Sequence, residues 1–158
     1  MTPSITPLHD TFTIERTYDA SAAEVWRCWT DPELRERWFH APDGWKLLER
    51  RQEFRVGGTE LLHGAMPNGT ETKFVSTYHV IVPEQHIVTA YDMHVGGTLL
   101  SVSLATMDLA PAGKGTRLRY TEQGVYFDGD PKSAASRKAG TTWHIGNLGE
   151  LIASRAAT

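Results

Sequence analysis

The strongest constraint in this sequence is a change of pattern at Asp130. From Trp45 to Glu122, runs of strand-forming residues are separated by Gly57-Gly58, Pro67-Asn68-Gly69, Pro83-Glu84, Gly96-Gly97 and Ala112-Gly113. Turn signals recurring every ten to fifteen residues or so describe an antiparallel meander. Beyond it, Asp130 is a fitting N-cap and Pro131 a fitting first helical residue, and Ile145, Leu148, Leu151 and Ile152 make one apolar stripe. The chain therefore ends in a single long helix whose stripe has to be buried across the sheet.

The segment before the meander supplies the remaining elements. Phe12 to Tyr18 alternates apolar and polar residues, the period of a half-buried strand. Ser21 with Glu24 reads as a capping box opening a helix through Ala22, Val25, Trp26 and Trp29, and Pro32 opens a second short helix toward Leu34 and Trp38. The expected order is strand, two short helices, antiparallel strands, long helix, in one domain spanning 1–158 with its core over about 12–152 and a flexible start over 1–10. Within the meander, Ile87, Thr89, Tyr91 and Met93 share one strand face, as do Val102 with Leu104, and Leu118, Tyr120 with Glu122. These three faces are expected to point inward.

Charge and composition remove several classes of function. With 16 Lys+Arg against 19 Asp+Glu and a net charge of −3, the chain carries no basic field for a nucleic-acid backbone. It has no apolar run near the roughly 18 residues of a membrane span and no signal-peptide pattern at its start, so a cytoplasmic protein is expected. The lone Cys28 excludes an internal disulfide and a cysteine-based zinc site. Seven histidines invite a metal reading, but none falls in a His-Glu-x-x-His pattern or pairs at i,i+4 on a helix, so no metal and no cofactor are expected. There is no Gly-x-Ser-x-Gly elbow, and neither Gly57-Gly58 nor Gly96-Gly97 extends to a dinucleotide or phosphate loop.

What remains is a small set of candidates. Glu122 continues an apolar strand face, where desolvation raises a carboxyl pKa and suits it to proton transfer; the alternative is a structural carboxylate paired with an arginine such as Arg137. His63 is a weaker catalytic candidate. Gly140, Gly146 and Gly149 each cost about 1 kcal/mol inside a helix, which is offset either by a ligand close to the helix or by ordinary helix–sheet packing. Five Trp, five Tyr and five Phe, among them Trp38, Phe39, Trp45, Tyr91, Tyr120 and Trp143, come from separate segments that a sheet wrapped on a helix brings together. On residue grounds alone they fill a solid core or line a cavity.

The element order resembles the helix-grip fold of the START/SRPBCC superfamily, the birch-pollen-allergen-like proteins: an α+β fold with a curved antiparallel sheet wrapped around a long C-terminal helix and two short helices after the first strand. Phe12 to Tyr18, Ala22 to Trp29, Asp31-Pro32 with Trp38-Phe39, Val56-Gly57-Gly58 and Tyr78 with Val82-Pro83-Glu84 are similar to the branch named for activators of the Hsp90 chaperone ATPase. Tyr91-Asp92-Met93, Ser101 to Leu104, Thr121 to Gly124 and Arg137 with Gly140-Thr141 and Asn147-Leu148 resemble one bacterial subgroup of that branch. The resemblance implies an internal cavity for a small hydrophobic ligand, lined by Trp38, Tyr78, Tyr91, Met93, Tyr120, Glu122 and Trp143. It also implies two alternatives, a polyketide cyclase or hydrolase-like enzyme working through Glu122 with a tyrosine or His63, and a chaperone regulator or stress-response protein. It is compatible with a homodimer.

Overall fold

The computed structural model describes residues 4–157. Its elements, in chain order, are β1 (Leu8–Tyr18), α1 (Ala22–Thr30), α2 (Pro32–Arg35), β2 (Lys46–Gln52), β3 (Thr59–Ala65), β4 (Glu71–Val82), β5 (His86–Val95), β6 (Thr98–Ala112), β7 (Gly115–Tyr126) and α3 (Pro131–Ala156). The strands form one curved antiparallel sheet in the order β1-β7-β6-β5-β4-β3-β2, and with α3 they give the α+β helix-grip architecture. β1 starts at Leu8, ahead of the expected Phe12; residues 1–3 of the flexible start expected over 1–10 lie outside the described residues.

Local signals account for where the helices begin. Ser21 Oγ accepts from the Glu24 backbone N–H at 3.1 Å, Asp31 Oδ1 from Glu33 N–H at 3.0 Å, and Asp130 Oδ1 from Lys132 N–H at 2.9 Å. Each satisfies a donor that the helix itself leaves open. The capping box expected at Ser21 is half built, because the Glu24 carboxylate turns away from the Ser21 backbone and accepts from Arg155 Nε at 2.5 Å. That choice ties α1 to the last turns of α3.

Strand parity follows the sequence reading in two of three places. Ile87, Thr89, Tyr91 and Met93 face inward, as do Leu118, Tyr120 and Glu122. On β6 the parity is the reverse of that expected: Ser101, Ser103, Ala105, Met107 and Leu109 are buried, while Val102 and Leu104 stay 37% and 42% exposed. The physical reason lies across the interior, where Arg137 of α3 donates to Ser101 Oγ at 2.7 Å and Ser103 Oγ at 3.4 Å. Polar acceptors were needed inside, and apolar side chains took the outer face.

The core occupies one end of the molecule. Val25, Cys28 and Trp29 of α1, Leu148, Leu151 and Ile152 of α3, and Ile87, Met107, Leu109 and Leu118 of the sheet form one buried cluster. Of the apolar stripe expected on α3, Leu148, Leu151 and Ile152 make this contact, and Ile145 packs with Phe12 and Ile14 of β1 in a second buried cluster. Its N-terminal half carries no such stripe and stands over the other end of the sheet. Removing the cap in Asp130→Ala should lower stability by about 1 kcal/mol, which a thermal melt followed by circular dichroism should show as a Tm lower by roughly 2–4 °C.

Candidate functional site: a cavity between sheet and last helix

Under the N-terminal half of α3, the strands and the α2–β2 segment enclose a cavity of about 960 Å³. Protein interiors pack as densely as organic crystals, so a void of this size is a property of the fold rather than loose packing. It falls within the roughly 300–1,000 Å³ of sites for small molecules. Alternate residues of the pleat form its floor: Phe74, Ser76 and Tyr78 on β4; Thr89, Tyr91 and Met93 on β5. Trp29, Trp38 and Phe39 wall one side, with Trp29 and Trp38 ring centroids 4.8 Å apart, and α3 closes it with Arg137, Gly140, Trp143 and His144.

Six of the seven ligand-facing residues expected from sequence line this space: Trp38, Tyr78, Tyr91, Met93, Tyr120 and Trp143. Trp143 does so from the rim, 41% exposed. Glu122 is not among the lining residues; it lies 1% exposed behind the wall, where Tyr120 Oη donates to its Oε1 at 2.7 Å. His63 also lies away from the cavity, since its neighbours Leu62 and Gly64 take the inner face; its Nε2 sits 3.8 Å from Glu71 Oε1.

Glu122 belongs to a buried polar group that spans helix and sheet. Arg137 Nη1 donates to Tyr91 Oη at 2.9 Å and stands 3.6 Å from Glu122 Oε2, and the guanidinium lies over the Tyr91 and Tyr126 rings at 5.4 and 5.3 Å. Both readings of Glu122 therefore meet in one place. Burial pushes its carboxyl pKa up, and Arg137 and the tyrosine hydroxyls pull it partly back. Burial followed by the Glu122 charge raises Tyr91 and Tyr120 well above ordinary phenols.

A second group, not anticipated from the sequence, sits at the α2 end. Arg35 closes a two-point ion pair with Glu60 of β3, through Nε to Oε2 and through Nη2 to Oε1 at 2.8 Å, and its Nη1 donates to the Trp29 carbonyl at 3.3 Å. Its guanidinium stacks over Phe39 at 4.4 Å and Trp38 at 5.0 Å. Beside it, Arg50 Nη1 donates to the Phe39 carbonyl at 2.7 Å. Arg35 follows Pro32 in a four-residue helix, too short for periodicity to mark a buried position, and Glu60 sits next to the buried Leu61. Only the aromatic density at Trp38-Phe39 hinted that a cation would be held there.

The three α3 glycines have three different surroundings. A Cβ on Gly149 would sit 3.4 Å from Tyr18 Cε1, so there the helix is thin for packing; one on Gly140 would meet nothing within 4 Å, although Gly140 lines the cavity. Gly146 is exposed and equally unobstructed. Among the described residues no group of three or more His, Cys, Asp or Glu is placed to hold a metal, and no helix is long and apolar enough to cross a membrane.

Sheet, helix and the half-open cavity between them define a helix-grip domain of the SRPBCC type. Residues 19–153 match the family model described as activator of Hsp90 ATPase homolog 1-like protein, and the chain belongs to that family. It is 40% identical to the crystal structure of protein Mll3558 from Rhizobium loti, covering 92% of this chain and 99% of that one with a TM-score of 0.85. A Rhizobium leguminosarum protein is 35% identical over 94% and 97% of the two chains, with a TM-score of 0.88. CalU16 from Micromonospora echinospora shares the fold at 21% identity and a TM-score of 0.67, over 93% of this chain and 78% of that one. No curated protein matches the chain.

His144, on the cavity wall, gives the site a measurable pH response. Its Nε2–H donates to the His40 carbonyl at 2.8 Å, and burial pulls its pKa from 6.5 down to about 4. Between those values the unfolded chain binds more protons at this residue than the folded one, so stability falls as pH drops from about 6.5 to 4 and is unaffected by this residue above that window. Glu122, raised by burial, titrates in the opposite sense. The contribution is therefore read as a difference: His144→Gln should flatten the dependence of Tm on pH across this window relative to wild type.

Proposed function

We propose that this protein binds a small, mainly hydrophobic molecule in the cavity between the sheet and α3. The observation that carries the reading is an interior of about 960 Å³ walled by aromatic rings, in which the buried charges are matched against each other at Arg35–Glu60 and Arg137–Glu122. Matched charges leave the ring faces as the main contact surface for an entering molecule. Gly140 supports the same reading. Leucine there would improve helix propensity by about 0.8 kcal/mol, and glycine instead leaves open space beside Arg137 and His144.

Two measurements test it together. Anilinonaphthalene, a neutral apolar dye that fluoresces when shielded from water, should bind with micromolar affinity and raise the Tm, because a ligand selective for the folded state stabilises it. Gly140→Leu should keep or raise the Tm of the free protein while weakening the dye at least tenfold. Unchanged affinity in that variant, or no binding to wild type by this dye or by any component of a lipid extract, would overturn the reading.

A second reading, acid–base catalysis on a polyketide-like substrate, is favoured by one contact, the 2.7 Å hydrogen bond from Tyr120 to the buried Glu122. With Glu122 behind the wall, a proton would pass to substrate through the Tyr120 hydroxyl, which lines the cavity. Glu122→Gln separates the two readings. It should leave dye affinity within about twofold, because Glu122 does not line the cavity, whereas a catalytic role requires loss of turnover of a poly-β-ketone substrate in a variant that remains folded.

A further inference from the structure

We infer that the cavity selects an amphipathic anion, a flat and largely aromatic body carrying one acidic group, with Arg50 as the cation that holds that group. This inference rests on the cavity-binding reading and names its ligand class.

The charge around the cavity is the opposite of the protein's own. The chain as a whole carries −3. The side chains lining the cavity include six cations, Arg35, Arg37, Lys46, Arg50, Lys132 and Arg137, against two carboxylates, Glu36 and Glu60. A cleft lined by one sign of charge focuses its field and raises the local concentration of the opposite ion. Arg37, Lys46 and Lys132 are exposed around the opening and act at that range.

Among the cations on the walls, two are already committed. Arg35 is closed in its two-point pair with Glu60, and Arg137 spends its donors on Tyr91, Ser101 and Ser103 beside Glu122. Arg50 differs from both. It lies on β2, half-buried, and makes one hydrogen bond, from Nη1 to the Phe39 carbonyl at 2.7 Å; among the described residues it forms no ion pair. A guanidinium carries five N–H donors in a rigid fork suited to a planar or trigonal oxyanion. Placed against the Phe39 ring, whose centroid is 5.9 Å from its central carbon, Arg50 presents its unused donors at a wall of aromatic faces. A ligand with rings for that wall and an oxyanion for that fork satisfies both.

The matched dyes anilinonaphthalene and anilinonaphthalene sulfonate, which differ by one sulfonate, provide the experiment. The sulfonate should bind wild type at least about tenfold more tightly than the neutral dye, the scale of one charge-assisted hydrogen-bonded pair. Arg50→Gln should remove about tenfold of the sulfonate's affinity and leave the neutral dye within about twofold; Arg50→Glu should weaken the sulfonate further and still spare the neutral dye. Both variants are first checked for native circular dichroism and Tm. A wild-type arm needs no substitution: raising salt from about 50 mM to about 500 mM should weaken the sulfonate and not the neutral dye. Equal affinities in wild type, equal losses of both dyes in Arg50→Gln, or a salt-insensitive sulfonate would each overturn the inference while cavity binding stands. Binding of neither dye would overturn the inference, and the absence of any bound lipid-extract component as well would overturn the cavity reading with it.

Discussion

The cavity depends on one long reach. Arg137 leaves α3, crosses to β5 and β6, and ends against Tyr91, Ser101 and Ser103, with Glu122 3.6 Å away. Below this point Leu148, Leu151 and Ile152 hold the helix by close apolar contact. Above it the helix is held by a polar strut, which fixes direction and separation without filling the space between. Burying a guanidinium is costly unless charge and hydrogen bonds answer it. Glu122 supplies the charge, and the serines and Tyr91 supply acceptors, so Ser101 and Ser103 had to take the inner face of β6.

Arg35 does comparable work at the other side. It locks α2 to β3 through Glu60, and its stacking on Trp38 and Phe39 orients the rings that wall the cavity. Two charge pairs, one per side, thus frame an apolar chamber whose floor is the pleat of β4 and β5. The same arrangement explains why Glu122 is buried and yet close to the cavity: its hydrogen-bond partner Tyr120 stands between it and the chamber.

Most of the architecture was legible in the sequence because it is written in local signals. Caps at Ser21 and Asp130, Pro32 at the start of α2 and paired turn residues between strands set the element order, and the 3.6-residue stripe on α3 marked its packed half. Parity failed at Val102 and Leu104, where the rule that apolar faces point inward was overruled by Arg137, a residue 35 positions away from Val102 in the chain. Trp38, Trp143 and the tyrosines of the cavity wall were readable from strand faces and family resemblance; Trp29 and Phe74, which also line it, were not. Arg35, Glu60 and Arg50 were not, since ion pairs and unmatched cations are properties of tertiary neighbours and leave no periodic trace. Gly140, Gly146 and Gly149 looked alike in sequence and proved to have three separate settings.

The sheet order carries a consequence for how the molecule assembles. Every ladder from β2 to β7 joins strands that follow one another along the chain, but β1 pairs with β7, from Tyr18 beside Thr116 to Leu8 beside Tyr126. Joining them closes the loop between Tyr18 and Thr116, and the entropy of that closure has to be paid before its contacts give any return. The hairpin ladders close short loops, whereas the β1–β7 ladder closes the longest one in the sheet. α1 and α2 follow directly from β1 in the chain and carry Trp29, Arg35 and Trp38, which wall one side of the chamber. The second wall of the cavity thus lies beside the pairing with the longest closure, and a molecule that occupied the cavity would stabilise the completed fold.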